Sequence, residues 1–185
     1  MKGIEDITIR EYFSRQNTDN YDVFLDILKP KNKFKGRVCK VNSLTFDEVE
    51  VIKRIFDKPT LEDIKDMFQT CYGLRDTYTT YADDDFYNTS IFDLFRAKRF
   101  LQNYITKIIK KENVHLYTGG DEKMMQVNAS KRLAPWNHQL VKNILGQKYS
   151  CKPKEIGRWT YNEVFAIRAS SKVYEDINRE YNAIK

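Results

Sequence analysis

The chain has 185 residues, 41% hydrophobic and 31% charged, with only 7 glycines and 4 prolines, a composition that folds and that excludes a disordered or low-complexity protein. No run of about 18 apolar residues occurs, and the N-terminus turns acidic at Glu5 and Asp6 before any apolar segment, so neither a membrane span nor a signal peptide is expected. The net charge of +6 is unevenly divided, since residues 1–95 hold 14 Lys/Arg and 18 Asp/Glu whereas residues 96–185 hold 18 and 8; a basic face for nucleic acid or an acidic partner, head-to-tail contact of an acidic half with a basic half, and a plainly solvated surface all fit that split.

Thr8 and Glu11 have the spacing of a capping box and open a short helix from Ile9 to about Gln16. Asn17-Thr18-Asp19-Asn20 is a turn cluster placed to cap a second helix, in which Val23, Phe24, Ile27 and Leu28 form a buried stripe and which Pro30 ends. The lysine-rich stretch from Lys31 to Lys40 reads as a connector, with Arg37 to Val41 suited to a short strand. Thr45 and Glu48 repeat the capping box. Leu44 is placed to staple onto Val49, and Val49, Ile52, Ile55 and Phe56 share a face as far as Pro59. Thr60 and Asp63 start the next helix, with Leu61, Ile64, Met67, Phe68 and Cys71 inward and Gly73 as its cap; the two helices read as a hairpin. Residues 74–90, with Asp83, Asp84 and Asp85 among aromatic side chains, read as an acidic loop. The alternating ligands and glycine bend of a calcium loop are missing from it.

Ser90 begins the longest predicted helix, reaching about Lys111. Ile91, Leu94, Phe95, Leu101, Tyr104, Ile105, Ile108 and Ile109 face inward, and Arg96, Lys98, Arg99, Lys107, Lys110 and Lys111 line the wet side. Val114–Thr118 and Lys123–Val127 flank Gly119-Gly120, which predicts a β-hairpin. Pro135 suits the first turn of a helix that runs through Leu140, Val141, Ile144 and Leu145 to Gly146, and Pro153–Gly157 is a short helical turn. Thr160 and Glu163 form a further capping box. It opens a terminal helix with Tyr161, Val164, Phe165, Ile167, Tyr174, Ile177, Tyr181 and Ile184 on its apolar face. The expected fold is mainly α, a helical domain with one small β-hairpin. It reads as a single domain over residues 1–185, in which residues 1–43 can also stand as an N-terminal extension.

Chemistry is thinly represented. With His115 and His138 as the only histidines, no His-x-x-x-His or His-Glu-x-x-His spacing exists, and no metal site is expected. Cys39, Cys71 and Cys151 are odd in number and widely spaced, which suits reduced thiols rather than a disulfide framework. Neither phosphate-loop glycine pattern occurs, so no nucleotide cofactor is expected. No catalytic residue is assigned, and the expectation is a protein that is not an enzyme and carries no cofactor; His138 beside Trp136 is the one polar–aromatic pair worth inspecting. The basic residues Lys131, Arg132, Lys152 and Lys154 lie near aromatic side chains, as in surfaces that meet DNA phosphates and stack on bases. The same residue types anchor protein interfaces. Trp136, Arg158, Trp159, Tyr161 and Tyr117 are the candidates for that role, and alanine at Arg158 or Trp159 is expected to impair assembly more than folding.

Lys, Ile, Asn, Tyr and Phe supply 73 of the 185 residues, and Lys outnumbers Arg by 21 to 11, the bias of an AT-rich genome. The C-terminal third, from Trp136 through Leu145-Gly146 to Cys151-Lys152-Pro153-Lys154-Glu155-Ile156-Gly157-Arg158-Trp159-Thr160-Tyr161-Asn162-Glu163-Val164-Phe165, resembles small structural proteins of tailed bacteriophages, in which a Pro-x-x-Ile turn precedes an aromatic-rich helix start. In size and style it is similar to the portal-proximal ring or connector proteins of crAss-like phages. The resemblance covers about a third of the chain and rests on no diagnostic motif. It implies a non-catalytic virion protein, made in the host cytoplasm and assembled as a homo-oligomeric ring between portal and tail. Its partners would be itself, the portal, other tail proteins and double-stranded DNA in a lumen, and no membrane. The alternative is a soluble nucleic-acid-binding or regulatory protein with a basic C-terminal half.

Overall fold

A helix start leaves its first backbone N–H groups without intrahelical partners, and the disposal of those donors organises this chain. The computed structural model describes residues 4–15, 25, 27–56, 60–73, 83–116, 127–133 and 136–184. Within them lie the helices α1 (Ile9–Phe13), α2 (Phe46–Ile55), α3 (Leu61–Cys71), α4 (Asp83–Tyr87), α5 (Ile91–His115), α6 (Ala129–Leu133), α7 (Asn137–Tyr149), α8 (Pro153–Gly157) and α9 (Tyr161–Ala183). The fold is mainly α. Extended pairing among the described residues is limited to three isolated bridges, Thr8 with Ser90, Phe34 with Arg37 and Thr45 with Thr160. The chain divides into two compact units, one formed by Met1–Val41 and Ile52–Thr106, the other by Asn42–Val51 and Lys107–Lys185.

In the first unit, α1 and α5 start side by side. The Ile9 N–H donates to the Thr89 carbonyl and the Ile91 N–H to the Ile7 carbonyl, both at 2.9 Å. Thr8 Oγ1 accepts from the Glu11 N–H at 3.1 Å, while Glu11 Oε2 accepts from the Thr8 N–H at 2.9 Å. The predicted capping box is therefore present, and the N–H groups of Ile9 and Glu11 both find acceptors outside the helix. Ile7, Ile9 and Ile91 are buried around the bridge. Deeper in, Phe34 packs edge-on against Phe68 at 4.7 Å and tilted against Tyr72 and Phe86 at 5.8 and 5.9 Å. The Asn32 side chain closes its loop by donating to the Cys39 carbonyl and accepting from the Cys39 N–H, both at 2.9 Å. Tyr104 donates to the Val41 carbonyl at 3.0 Å, and burial, with the Cys39 and Cys71 thiols adding to it, pushes its phenol up to about 12.

The second unit uses the same device. The Phe46 N–H donates to the Trp159 carbonyl at 2.8 Å and the Tyr161 N–H to the Leu44 carbonyl at 2.9 Å, so α2 and α9 also start side by side. Thr45 with Glu48 and Thr160 with Glu163 form the two predicted boxes. Leu44, Phe46, Val49, Val141, Leu145, Ile156, Tyr161, Val164 and Phe165 are buried in this unit. Lys111 Nζ sits 4.0 Å from the centre of the Phe165 ring, a cation–π contact that tucks a wet-face lysine of α5 over the core.

Several expectations are corrected. Val114 and His115 do not start a hairpin. They complete α5, whose last turn closes with the Leu116 N–H on the Glu112 carbonyl at 2.8 Å; Gly119-Gly120 and the rest of 117–126 lie outside the described residues. Arg37 to Val41 is not a strand: Phe34 and Arg37 exchange two 2.9 Å backbone hydrogen bonds across a tight turn, with Lys35 and Gly36 at φ 48° and 77°. Asp83–Tyr87, read as loop, is a helical turn, because Phe86 is drawn into the aromatic cluster. Of the predicted stripe near Pro30, Val23 and Phe24 lie outside the described residues and Ile27 is exposed. The charge halves do not survive folding either. The first unit holds 17 Lys/Arg and 15 Asp/Glu and the second 15 and 11. Asp47, Glu48 and Glu50 join the second unit while Arg96, Lys98 and Arg99 stay in the first, so no acidic unit exists to face a basic one.

Glu163 is held below its ordinary carboxylate value because it accepts from the Thr160 hydroxyl and then from the Thr160 backbone, and Asp63 is held down in the same way by Thr60. A carboxyl group with a depressed folded value stabilises the fold above its unfolded value, and this contribution is lost as the pH falls through the folded one. Glu163→Gln keeps an acceptor for Thr160 but removes the titration. Its unfolding on acidification between about pH 5 and 3, followed by circular dichroism, should be shallower than that of the parent. Thr160→Ala should cost about 1 kcal/mol at neutral pH. An unchanged acid limb in Glu163→Gln would show that this cap does not matter to the start of α9.

Candidate interaction surface

The surface of the second unit is positioned by a carboxylate near the start of α2. Asp47 Oδ1 lies 2.7 Å from His138 Nε2 and accepts from Lys142 Nζ at 3.1 Å. A carboxylate only accepts, so Nε2 of His138 carries a proton. His138 and Lys142 are one turn apart on α7 and reach the same oxygen, while the Phe46 ring lies 5.1 Å from the imidazole. On the other side of Asp47, α8 comes so close that a Cβ on Gly157 would overlap the carboxylate. A His–Asp pair is also half of a proton-transfer triad. In this unit the shared oxygen serves Lys142 as well and Gly157 of α8 packs against one side of the partly exposed carboxylate, so the arrangement acts as a clasp on α2, α7 and α8. Gly146 makes the second close approach. A Cβ there would stand 2.8 Å from the Cys151 carbonyl, so the glycine lets the chain entering α8 fold back beside α7, which itself continues past the glycine expected to end it.

The sequence candidates are dispersed by this scaffold. Trp136 stands at the N-cap of α7 with 67% of its surface exposed. Arg158 is exposed at the C-cap of α8. Trp159 is half-buried, edge-on to Tyr149 at 5.5 Å, and its carbonyl belongs to the bridge. Tyr161, proposed from sequence as an interface residue, is a core residue: its hydroxyl donates to the buried Glu112 Oε1 at 2.8 Å, and burial together with that carboxylate drives its phenol far above the ordinary range. Tyr117 lies outside the described residues. Lys131 and Arg132 are exposed on α6, and Lys152 and Lys154 are exposed at the start of α8.

Two rows of apolar side chains are exposed on α7 and α9. On α7, Val141 and Leu145 are buried, but Leu140 and Ile144 are exposed, one turn apart and in line with Trp136. On α9, Tyr161, Val164 and Phe165 are buried, whereas Tyr174, Ile177, Tyr181 and Ile184 are 67, 56, 76 and 82% exposed. At about 100° per residue these two sets lie on roughly opposite sides of the helix. The exposed set keeps a three–four–three spacing, the spacing of a helix-packing seam. Alongside it, Lys148, Ser170, Ser171, Tyr174, Glu175 and Asn178 line an open groove, with Lys148 Nζ 3.3 Å from Ser171 Oγ. Among the described residues no group of three or more His, Cys, Asp or Glu is arranged to hold a metal ion, and no helix is long and apolar enough to cross a membrane.

The clasp gives a sharp test. Gly157→Ala should lose about 1–3 kcal/mol in denaturant unfolding, as a methyl group is forced against Asp47. In an Asp47→Ala background the loss should vanish or reverse, since alanine favours helix over glycine by about 1 kcal/mol. Equal losses in both backgrounds would remove the clasp as the reason for glycine at this position. Comparison with known proteins yields no matching family model, no matching curated protein and no matching solved structure.

Proposed function

We propose that this chain is a non-catalytic structural protein that assembles with copies of itself, and that its place is the ring between portal and tail in a tailed phage virion. The observation that carries the assembly reading is the outward apolar row on α9, joined by Leu140, Ile144 and Trp136 on α7. Exposed apolar side chains grouped on helix faces mark contact sites, and Trp and Tyr are the residue types that dominate binding energy in such contacts. The phage placement rests on the resemblance of the C-terminal third. The exposed Lys131, Arg132, Lys152 and Lys154 favour a second reading, a basic surface for duplex DNA, either in the lumen of such a ring or in a free regulatory protein.

Light scattering coupled to gel filtration, with negative-stain electron microscopy of the same fractions, separates these readings. A ring protein should run as a species larger than a dimer and show closed particles. A monomer or dimer that binds duplex DNA, with affinity falling steeply between about 50 and 200 mM salt, would replace the assembly reading with the regulatory one.

A further inference from the structure

Two apolar rows on one unit raise the question of what covers each. Burial by the body on which α9 itself packs does not account for Tyr174, Ile177, Tyr181 and Ile184, because they lie on the side away from Tyr161, Val164 and Phe165. Like would meet like in a two-fold pair of α9 helices. The charges of the two stretches that carry the rows favour a different match. Residues 127–149, which include the α7 row, hold Lys131, Arg132, Lys142 and Lys148 and no acid. Residues 173–184, which include the α9 row, hold Glu175, Asp176 and Glu180 against a single Arg179. Some of these charges are used locally. Asp176 lies 2.5 Å from Lys172 in its own helix, Lys142 serves Asp47, and Lys148 reaches Ser171. Lys131 and Arg132 on one side and Glu180, next to Tyr181 on the other, stand exposed at the surface, while Glu175 faces the groove of its own copy.

We infer that the α9 row of one copy docks on the α7 row of a second copy, Tyr174, Ile177, Tyr181 and Ile184 covering Trp136, Leu140 and Ile144, with the acidic flank of α9 against the basic flank of α6 and α7. This deepens the assembly reading and rests on it. Each copy presents two different, complementary surfaces, so the contact is head-to-tail. Such a contact leaves one free surface at each end of any open assembly, and repetition closes a ring or extends a filament rather than stopping at a pair. Charge complementarity fixes which row meets which and speeds the encounter, and burial of the apolar rows holds the complex.

The test uses the full chain and two double variants at exposed positions, Ile177→Asp with Tyr181→Asp on the α9 row and Leu140→Asp with Ile144→Asp on the α7 row. Circular dichroism and thermal unfolding confirm that each is folded. Each variant alone should be monomeric by sedimentation velocity, its association weakened at least tenfold. Mixed in equal amounts, the two should form a 1:1 pair and nothing larger, because the first still offers an intact α7 row and the second an intact α9 row. A mixture that stays monomeric, or an α7 variant that still assembles like the parent, overturns the match. The charges provide an independent check that leaves the apolar rows intact: Lys131→Glu with Arg132→Glu, and Glu180→Lys, should each weaken assembly, and equimolar mixing of the two should restore it. A parent chain that is itself monomeric defeats the assembly reading as a whole. A parent that assembles while all four variants assemble equally well defeats only this pairing.

Discussion

The interaction on which most of the structure depends is the reciprocal pairing of helix starts. Two helices that begin side by side bring positive dipole ends together, an unfavourable juxtaposition unless the donors and the charge are both answered. In the second unit they are. The first N–H of α2 finds the Trp159 carbonyl, that of α9 finds the Leu44 carbonyl, the third-residue N–H groups find threonine hydroxyls, and Glu48 and Glu163 bring negative charge to the same place. The first unit repeats the arrangement with Ile9 and Ile91, Glu11 serving α1. Because the residues at these starts are apolar and buried, the pairing also seeds each core. The Asp47 clasp builds on it, since Asp47 is aimed by its position one residue into α2.

The helix starts were legible in the sequence because a capping box is local. Thr8 with Glu11, Thr45 with Glu48, Thr60 with Asp63 and Thr160 with Glu163 each need only three residues of spacing, and all four are present. Tertiary choices were less legible. Leu140 with Ile144 and Val141 with Leu145 have the same four-residue spacing, and periodicity does not say which pair faces inward. The clasp decides, because His138 and Lys142 must both reach Asp47, residues more than ninety positions away. The length of α5 was underestimated for a similar reason. Glu112 sits in its last turns as a buried acid, and its partner, the Tyr161 hydroxyl, is invisible to any local reading. The apolar positions of α9 divide between Phe165 and Tyr174 into a buried set and an exposed set on opposite sides of the helix.

The candidate site shows the same division. Trp136 and Arg158 are on the surface where residue type suggested. Tyr161 went into the core because its ring could be buried with its hydroxyl satisfied, which residue type alone does not reveal. The charge asymmetry along the chain, so prominent in the sequence, dissolves because the two units exchange short segments of opposite sign. What replaces it is a finer contrast within the second unit, between a basic α6–α7 stretch and an acidic outer α9.

The interleaving of the units also orders events in time. Thr8 meets Ser90, so the first unit has all of its bridge once Ser90 has left the ribosome. Thr45 must wait for Thr160. Throughout that interval the N-terminus of α2 has no Trp159 carbonyl, and the acid at Asp47 has neither histidine nor lysine to hold. The bridge of the first unit is thus available before that of the second, and the α7 row, completed at Ile144, precedes the α9 row, which begins at Tyr174.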